Sequence, residues 1–442
     1  MTRTSVQESA VPAKLSTGQI VVFTAFVFAA LIALIGFIRA LPILLSIPQQ
    51  VDFAAYFIAA RVLASGGDIY ADATATQVAT AAGIQHFTDY IYPPHLAALL
   101  MLIASVPYET ASRVWLVTNV AVAAVSVLLL CWHLKFSPAM TTCILAGFLL
   151  LPATYNALGS GQVLFWINLF FVLMFVLSSR SPSLIGGEVA TGMLLAGASV
   201  IKIYPAVVGV VFLLQRRWGV MVAALCTGTV MLLLAIDDSW RWLTVVLPGL
   251  ADANGFPTNQ SILGVSTRFL SPIQFNLPDG LGSSKTVEVP PLLFHAPQMG
   301  AIMGYAAMVV VLVVSIMAIV RVSRRNDVRP NAFETAFAIG VATALLISPI
   351  AWSEYAIQLL IPVVVLMKLG WLGFPKGLVL ALIYFLLVLE KHWPVMVSIM
   401  PTPLVIMSTF SAVLLTWIAL LWVVFARSTT GLARNVGAVP QS

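Results

Sequence analysis

The chain has 442 residues, of which 60% are hydrophobic and 9% charged, with a mean hydropathy of +1.02 and a net charge of +6. Soluble domains carry about 25% charged residues, so the composition excludes an ordinary soluble enzyme and defines an all-α, polytopic integral membrane protein. The positive balance is spread over loops, which fits membrane topology and not nucleic acid. Cys131, Cys143 and Cys226 all lie in apolar runs, where packing is expected and a disulfide framework is not.

A bilayer crossing takes roughly 20 apolar residues. Runs of about that length are expected at 18–40, 93–107, 112–133, 139–155, 162–178, 187–214, 217–236, 299–322, 333–349, 355–369, 374–390 and 403–425, about twelve transmembrane helices. The first follows a polar N-terminus without a small-residue cleavage site behind it, so it is expected to be retained. The basic clusters Arg216-Arg217 and Arg321 to Arg325 set the orientation. They put tails 1–17 and 427–442 in the cytoplasm and the loops 41–92 and 237–298 outside, around one membrane domain over 18–426. On that count Arg113 falls inside, and Lys135 and Arg180 fall outside.

The first outer loop opens Val51-Asp52-Phe53. Apolar residues then recur at Phe53, Phe57, Ala60 and Ala64 until Gly66-Gly67, the spacing of one helical face. A short helix lying along the membrane interface is expected there. Asp52 is either its N-cap, accepting the free N–H groups of the first turn, or a fixed catalytic carboxylate, and the two roles are compatible. Tyr56 follows one turn later, and Tyr92-Pro93-Pro94 closes the loop.

Asn156, Ser160, Gly161 and Gln162 form a Gly-rich polar break between apolar runs. The break is either a cytoplasmic turn or part of a broken helix lining a polar cavity. Lys202-Ile203-Tyr204-Pro205 puts a lysine between two apolar halves. Intramembrane ionisable groups usually face a cavity and mark function, and a proline kink beside the lysine suits a site for a lipid phosphate. The second outer loop carries Asp237-Asp238, the aromatic pattern of Trp240 and Trp242, then Asn259-Gln260-Ser261 and Arg268. A further outer turn holds Ser348-Pro349, Trp352, Glu354 and Tyr355, and Glu390 to Pro394 reads as a solvated turn. The outer acids form no spaced ligand set, so no metal or other cofactor is expected.

Taken in order, Asp52-Phe53 with Tyr56, Gly66 to Tyr70, Tyr92-Pro93-Pro94, Asn156 with Gly161-Gln162, Lys202 to Pro205, Asn259 to Ser261 with Arg268, and Ser348-Pro349 with Trp352 resemble glycosyltransferase family 87. That family includes the mycobacterial polyprenol-phosphate-mannose-dependent mannosyltransferases. The resemblance implies a GT-C type glycosyltransferase fold in a bacterial inner membrane. It also implies transfer of a sugar, often mannose, from a polyprenyl-phosphate donor to a lipid or glycan acceptor on the extracytoplasmic face. Asp52 matches the catalytic Asp of the first outer loop. The mannoside-synthesising members carry histidines after the Ser-Pro-x-x-Trp element, where this chain has Glu354-Tyr355, so their acceptor and their division of acid and base work do not carry over.

Displacing a lipid phosphate at an anomeric carbon needs a base for the incoming hydroxyl, for which Asp52 is the candidate with Glu354 assisting. It also needs donors and positive charge at the departing phosphate, for which Lys202, Tyr204, Arg268 and Tyr92 are the candidates. Tyr56, Asn156, Gln162, Asn259, Gln260, Trp352 and Tyr355 are expected at the sugar and the acceptor. One displacement inverts the anomeric centre. A lipid or solute transporter is the alternative, but transporters place paired polar groups near the midplane of repeated halves, and no repeat is evident here.

Overall fold

The computed structural model describes residues 16–46, 50–180, 185–250, 255–278, 284–291, 293–324, 331–389 and 407–426. The expected terminal tails, apart from Ser16 and Thr17, lie outside the described residues, as does the turn at 390–394. The chain runs through α1 (Thr17–Ser46), α2 (Val51–Ala64), α3 (Asp72–Ala81), α4 (Pro94–Leu100), α5 (Tyr108–His133), α6 (Pro138–Leu149), α7 (Pro152–Ser160), α8 (Leu164–Arg180) and α9 (Ile185–Ile201). It continues through α10 (Gly209–Leu214), α11 (Trp218–Leu234), α12 (Ile236–Arg241), α13 (Leu247–Leu250) and α14 (Ile262–Leu270). An antiparallel hairpin, β1 (Ile273–Pro278) with β2 (Ser284–Val289), leads to α15 (Pro297–Ser323), α16 (Ala332–Ile347), α17 (Leu360–Leu366), α18 (Lys376–Leu389) and α19 (Ser408–Ala426). The hairpin, paired from Ile273 with Val289 to Pro278 with Ser284, is the one departure from an all-α chain among the described residues.

Among the described residues, Thr17–Pro42, Tyr108–His133, Pro297–Ser323, Ser353–Trp371 and Ser408–Ala426 are long and apolar enough to cross a membrane. Two bent pairs add to them, α6 with α7 at 57° and α11 with the Ile236–Leu250 segment at 103°. The chain is a multi-pass membrane protein. Apolar burial does not drive helix association within lipid, so close packing must. α9 and α11 meet at Gly192, where a Cβ would fall 2.5 Å from the Val220 carbonyl oxygen and 2.6 Å from the Ala223 Cβ. Phe171, Phe175, Phe212, Phe333 and Phe337 tie α8, α10 and α16 together, with ring centres 5.7 to 6.4 Å apart. Edge and offset pairs of this kind contribute roughly 0.5–1.5 kcal/mol each beyond the area they bury.

Contacts between elements show which ends of the helices lie together. At one end Gly18 packs on Phe374, Lys368 lies 5.9 Å from the Phe136 ring, Arg217 donates to the Ser178 carbonyl at 3.0 Å, and Gln215 reaches Ser323 at 3.2 Å. At the other end Gln162 bonds both Asp52 and Lys202, and Lys202 bonds Tyr355. This grouping corrects several expectations.

The 93–107 run does not reach the opposite end of the helices. Tyr92 before it hydrogen-bonds Tyr56 of α2, and Tyr108 after it hydrogen-bonds the Gln50 carbonyl, so the chain leaves and returns at the same end. Its short α4 starts on Pro94 and ends in a 3-10 turn whose flank, at the Ala104 and Val106 carbonyls, is held by Arg61. The 187–214 run is two arms. Glu188 near its start packs against Gly219 just past its end, so the chain rises through α9, turns at Lys202 and descends through a 3-10 turn (Tyr204–Val208) and α10. Arg113, on the first turns of α5, therefore lies at the end that holds Asp52, and Lys135, next to Phe136, lies at the opposite end.

The expected helix after Asp52 forms as α2, but it does not lie open on a surface. Phe53, Ala54, Ala55, Tyr56, Phe57, Ile58, Ala59, Ala60 and Val62 are all buried. Apolar residues occur all round this helix, and a helix that is apolar all round is enclosed by protein.

Candidate active site

Asp52 is the second residue of α2 and does not cap it. The position before the helix is Gln50, which makes no side-chain cap. The Asp52 carboxylate instead points across the fold, where it accepts from Gln162 Nε2 at 2.7 Å and from Thr88 Oγ1 at 3.3 Å. Burial pushes its pKa above the ordinary carboxylate value, opposed by the positive charge of Lys202 and by the hydrogen bonds from Gln162 and Thr88.

Gln162 connects the set. It follows the C-terminus of α7, which ends at Gly161 in the left-handed conformation (φ 75°). A side chain there would strain the backbone, and its Cβ would fall 2.6 Å from the Phe53 Cβ. The glycine therefore lets α7 stop hard against the start of α2 and present Gln162 to Asp52. While Nε2 of Gln162 donates to Asp52, its Oε1 accepts from Lys202 Nζ at 3.2 Å and from Tyr56 Oη at 3.4 Å. The expected polar break is thus a broken helix reaching the site and not a turn at the far end.

Lys202 is buried at the tip between α9 and the 3-10 turn. It donates to Tyr355 Oη at 2.9 Å, and its ammonium lies 4.3 Å from the centre of the Tyr355 ring and 4.9 Å from that of Tyr92. A buried ammonium needs such partners. The Tyr56 and Tyr92 hydroxyls hydrogen-bond at 3.0 Å, the two rings meeting edge to face. Glu354, half-buried beside Tyr355, interacts electrostatically with both Asp52 and Lys202. Asp52, Gln162, Lys202, Tyr56, Tyr92, Glu354 and Tyr355 are therefore brought together from distant parts of the chain.

The other expected residues stand one layer back. The Tyr204 ring lies tilted against that of Tyr355 with ring centres 5.1 Å apart, and its hydroxyl accepts from Gln358. The Asn259 side chain bonds the Pro349 carbonyl and the Ala351 N–H, and Gln260 bonds the Pro257 carbonyl and the Phe410 N–H. With its bridge to Trp352, Asn259 fastens the 256–261 loop to the strand-like stretch before Glu354, and Gln260 ties the same loop to the start of α19. Arg268, on α14, donates through Nη1 to the carbonyls of Phe256 and Asn259 at 2.8 and 2.7 Å. Its Nε and Nη2 are buried without a hydrogen-bond partner among the described residues. Asn156 is half-buried on α7, upstream of the Gly161–Gln162 turn.

Residues absent from the sequence reading complete the site. Thr88 donates to Asp52, and Trp115 and Asn119 of α5 donate to the carbonyls of Gly161 and Gln162. Asn119 carried a signal that could have found it, a lone amide in the middle of an apolar run. Thr88, in a polar loop, carried none. Among the described residues no group of three or more His, Cys, Asp or Glu side chains is arranged to hold a metal ion.

Fold and site together define a multi-pass membrane protein with a preformed polar centre, in which a carboxylate and a buried ammonium are held by one amide. The chain belongs to glycosyltransferase family 87, whose family model matches residues 90–349. It is therefore a member of a family of sugar-transferring enzymes. Gln162, Lys202, Tyr204, Asn259, Gln260 and Arg268 lie within the match, Asp52 precedes it, and Glu354 and Tyr355 follow it. No curated protein matches the sequence. Among solved structures the chain is similar to ArnT from Cupriavidus metallidurans bound to undecaprenyl phosphate, at 14% identity over 97% of this chain and 82% of that one. The TM-score is 0.34, so the likeness is loose and decides nothing about the site.

Proposed function

We propose that the chain transfers a sugar, mannose by family resemblance, from a polyprenyl-phosphate carrier to a hydroxyl of a lipid or glycan acceptor. The observation that carries this reading is the double hydrogen bond of Gln162, which fixes a carboxylate that can accept a proton and an ammonium that can meet an anion in one enclosed site. In the reaction the acceptor hydroxyl gives its proton to Asp52 as its oxygen bonds to the anomeric carbon. The bond from that carbon to the phosphate oxygen breaks on the opposite face, the polyprenyl phosphate leaves with the electron pair, and the anomeric centre inverts. Lys202, with the hydroxyls of Tyr92 and Tyr355, stabilises the charge developing on the phosphate. Arg268 adds positive field to the site from the layer behind, and Glu354 orients the acceptor.

The fold is of the GT-C type, with about twelve crossings over 18–426. Five long helices and two bent pairs among the described residues support seven of them, and the shorter apolar helices other than Pro94–Ile103 are read as the remainder. The end that carries Lys368, Arg217 and Arg321 is rich in basic residues, and the rule that such loops stay inside puts it in the cytoplasm. The start of α1 packs at that end on Phe374, and the end of α19 does so where Arg321 lies 5.4 Å from the Phe425 ring. Both termini are thus cytoplasmic and Asp52 faces outside, in a bacterial inner membrane.

The test is transfer by purified protein in nanodiscs, offered radiolabelled polyprenyl-phosphate mannose, glucose or arabinose with membrane lipid extract, wild type beside Asp52→Asn. A labelled product lost in the variant supports the reading and names the donor. No turnover with any donor, together with lipid-phosphate binding that is unchanged in the variant, replaces it with a transport or binding reading.

A further inference from the structure

Trp115 and Asn119 stand one helical turn apart on α5, so their side chains share a face. That face meets the Gly161–Gln162 turn. Trp115 Nε1 donates to the Gly161 carbonyl at 2.8 Å, and Asn119 Nδ2 donates to the Gln162 carbonyl at 3.2 Å. Two successive carbonyls just past a helix end, which have no partners within the helix, are thereby captured from one side. With both carbonyls turned toward α5, the Gln162 side chain extends to Asp52 and Lys202.

The cost of Asn119 shows what it is for. It is fully buried in an apolar helix, and its Oδ1 has no partner among the described residues, so this amide is maintained there for a single bond. An apolar side chain would pack at the same place and spare the unpartnered Oδ1, but it would leave the Gln162 carbonyl without its donor from α5. Trp115 does two things at once. Its ring stacks on Phe53, the residue after Asp52, at 5.2 Å, while its N–H holds the residue before Gln162. Both halves of the Asp52–Gln162 bond are therefore referenced to the same turn of α5.

We propose that Trp115 and Asn119 are positioning residues that set the Gln162 amide, and through it the Asp52 carboxylate, for proton transfer from the acceptor. The inference rests on the reading of Asp52 as general base. Loosening the turn weakens the N–H donation that favours the charged form of Asp52. The fraction of enzyme with a competent base then falls at low pH while donor binding is retained.

Purified full-length Trp115→Phe, Asn119→Ala, Gln162→Ala and Asp52→Asn are assayed for transfer from radiolabelled polyprenyl-phosphate mannose, with kcat, KM and pH profiles. Trp115→Phe and Asn119→Ala are each expected to lower kcat roughly three- to tenfold, to leave donor KM within about twofold, and to move the acid limb of kcat/KM upward. Added to Gln162→Ala, either change is expected to cost little more, because its effect runs through that side chain. Trp115→Phe keeps the ring on Phe53 and carries the test if Asn119→Ala does not fold. An unmoved acid limb, or losses that multiply with Gln162→Ala while Asp52→Asn is inactive, overturns the inference and leaves the base reading standing. Full transfer by Asp52→Asn removes the base reading, and the inference falls with it.

Discussion

Lys202 Nζ lies 2.9 Å from Tyr355 Oη, and the same ammonium faces the Tyr355 ring at 4.3 Å. One tyrosine thus uses both its hydroxyl and its π-face to hold the buried cation. Tyr355→Phe keeps the ring and removes the hydroxyl, so the ammonium stays in place but less firmly fixed. A hydrogen bond to a charged group is worth about 1.5–3 kcal/mol, and kcat is expected to fall roughly 10- to 100-fold with little change in thermal stability. Steady-state transfer and a melting curve in detergent check both halves, and an unchanged kcat would show that Tyr355 is only packing.

Asp52→Asn keeps the size of the side chain and removes the proton acceptor. A positioned general base contributes about 10²–10⁴ in rate, so transfer is expected to drop by at least a hundredfold while binding of polyprenyl phosphate persists. Single-turnover assays beside lipid-phosphate binding separate the two.

The pH dependence follows from the same carboxylate. Asp52 must be ionised to accept a proton, and burial raises its pKa above the ordinary carboxylate value. Activity is therefore expected to fall, as pH is lowered, at a higher pH than an exposed aspartate would give. Lys202 opposes that shift, so Lys202→Met is expected to push the acid limb higher still as well as lowering kcat. A pH profile of kcat/KM for both proteins decides it, and a limb that moves down in the variant contradicts the assignment.

Gly161→Ala places a Cβ 2.6 Å from the Phe53 Cβ and 2.9 Å from the Gln50 Cβ, in a backbone conformation that disfavours side chains. Overpacking and left-handed strain each cost on the order of 1–3 kcal/mol. The variant is expected to melt several degrees lower and to lose activity beyond its loss of folded protein, because Gln162 moves with the turn. Thermal unfolding and specific activity per folded molecule test this.

Membrane sidedness can be read with single cysteines. Arg113→Cys and Lys135→Cys, in a background lacking the three native cysteines, are expected to react with an impermeant thiol reagent from opposite faces. Labelling of Arg113→Cys only from the cytoplasmic face would restore 93–107 as a crossing.

The membrane class and most of the helices were legible because composition and run length report directly on lipid exposure. Asp52, Lys202, Gln162 and Tyr355 were legible as polar or ionisable residues in apolar surroundings. The path of the chain was less so. The 93–107 run has the hydropathy of a span, and only the contacts of Tyr92 and Tyr108 with the start of α2 show that it turns back. The 187–214 run reads as one long helix because Pro205 marks a kink as readily as a reversal. The roles of Asn259 and Gln260 were hidden for another reason. A polar side chain offered to a sugar and one offered to a neighbouring backbone look alike in sequence, and here both amides are bonded to backbone groups.

The enclosure of α2 reaches beyond the site. A carboxylate carried on an open interfacial helix would ride on every fluctuation of the bilayer surface, and its distance to a substrate would vary with lipid composition. Asp52 sits at the head of a helix buried along nearly its whole length, so its position is set when the protein folds and is insulated from the membrane around it. Lipid thickness and headgroup charge should then alter how often donor and acceptor arrive, and leave the rate of the chemical step nearly constant once they are bound.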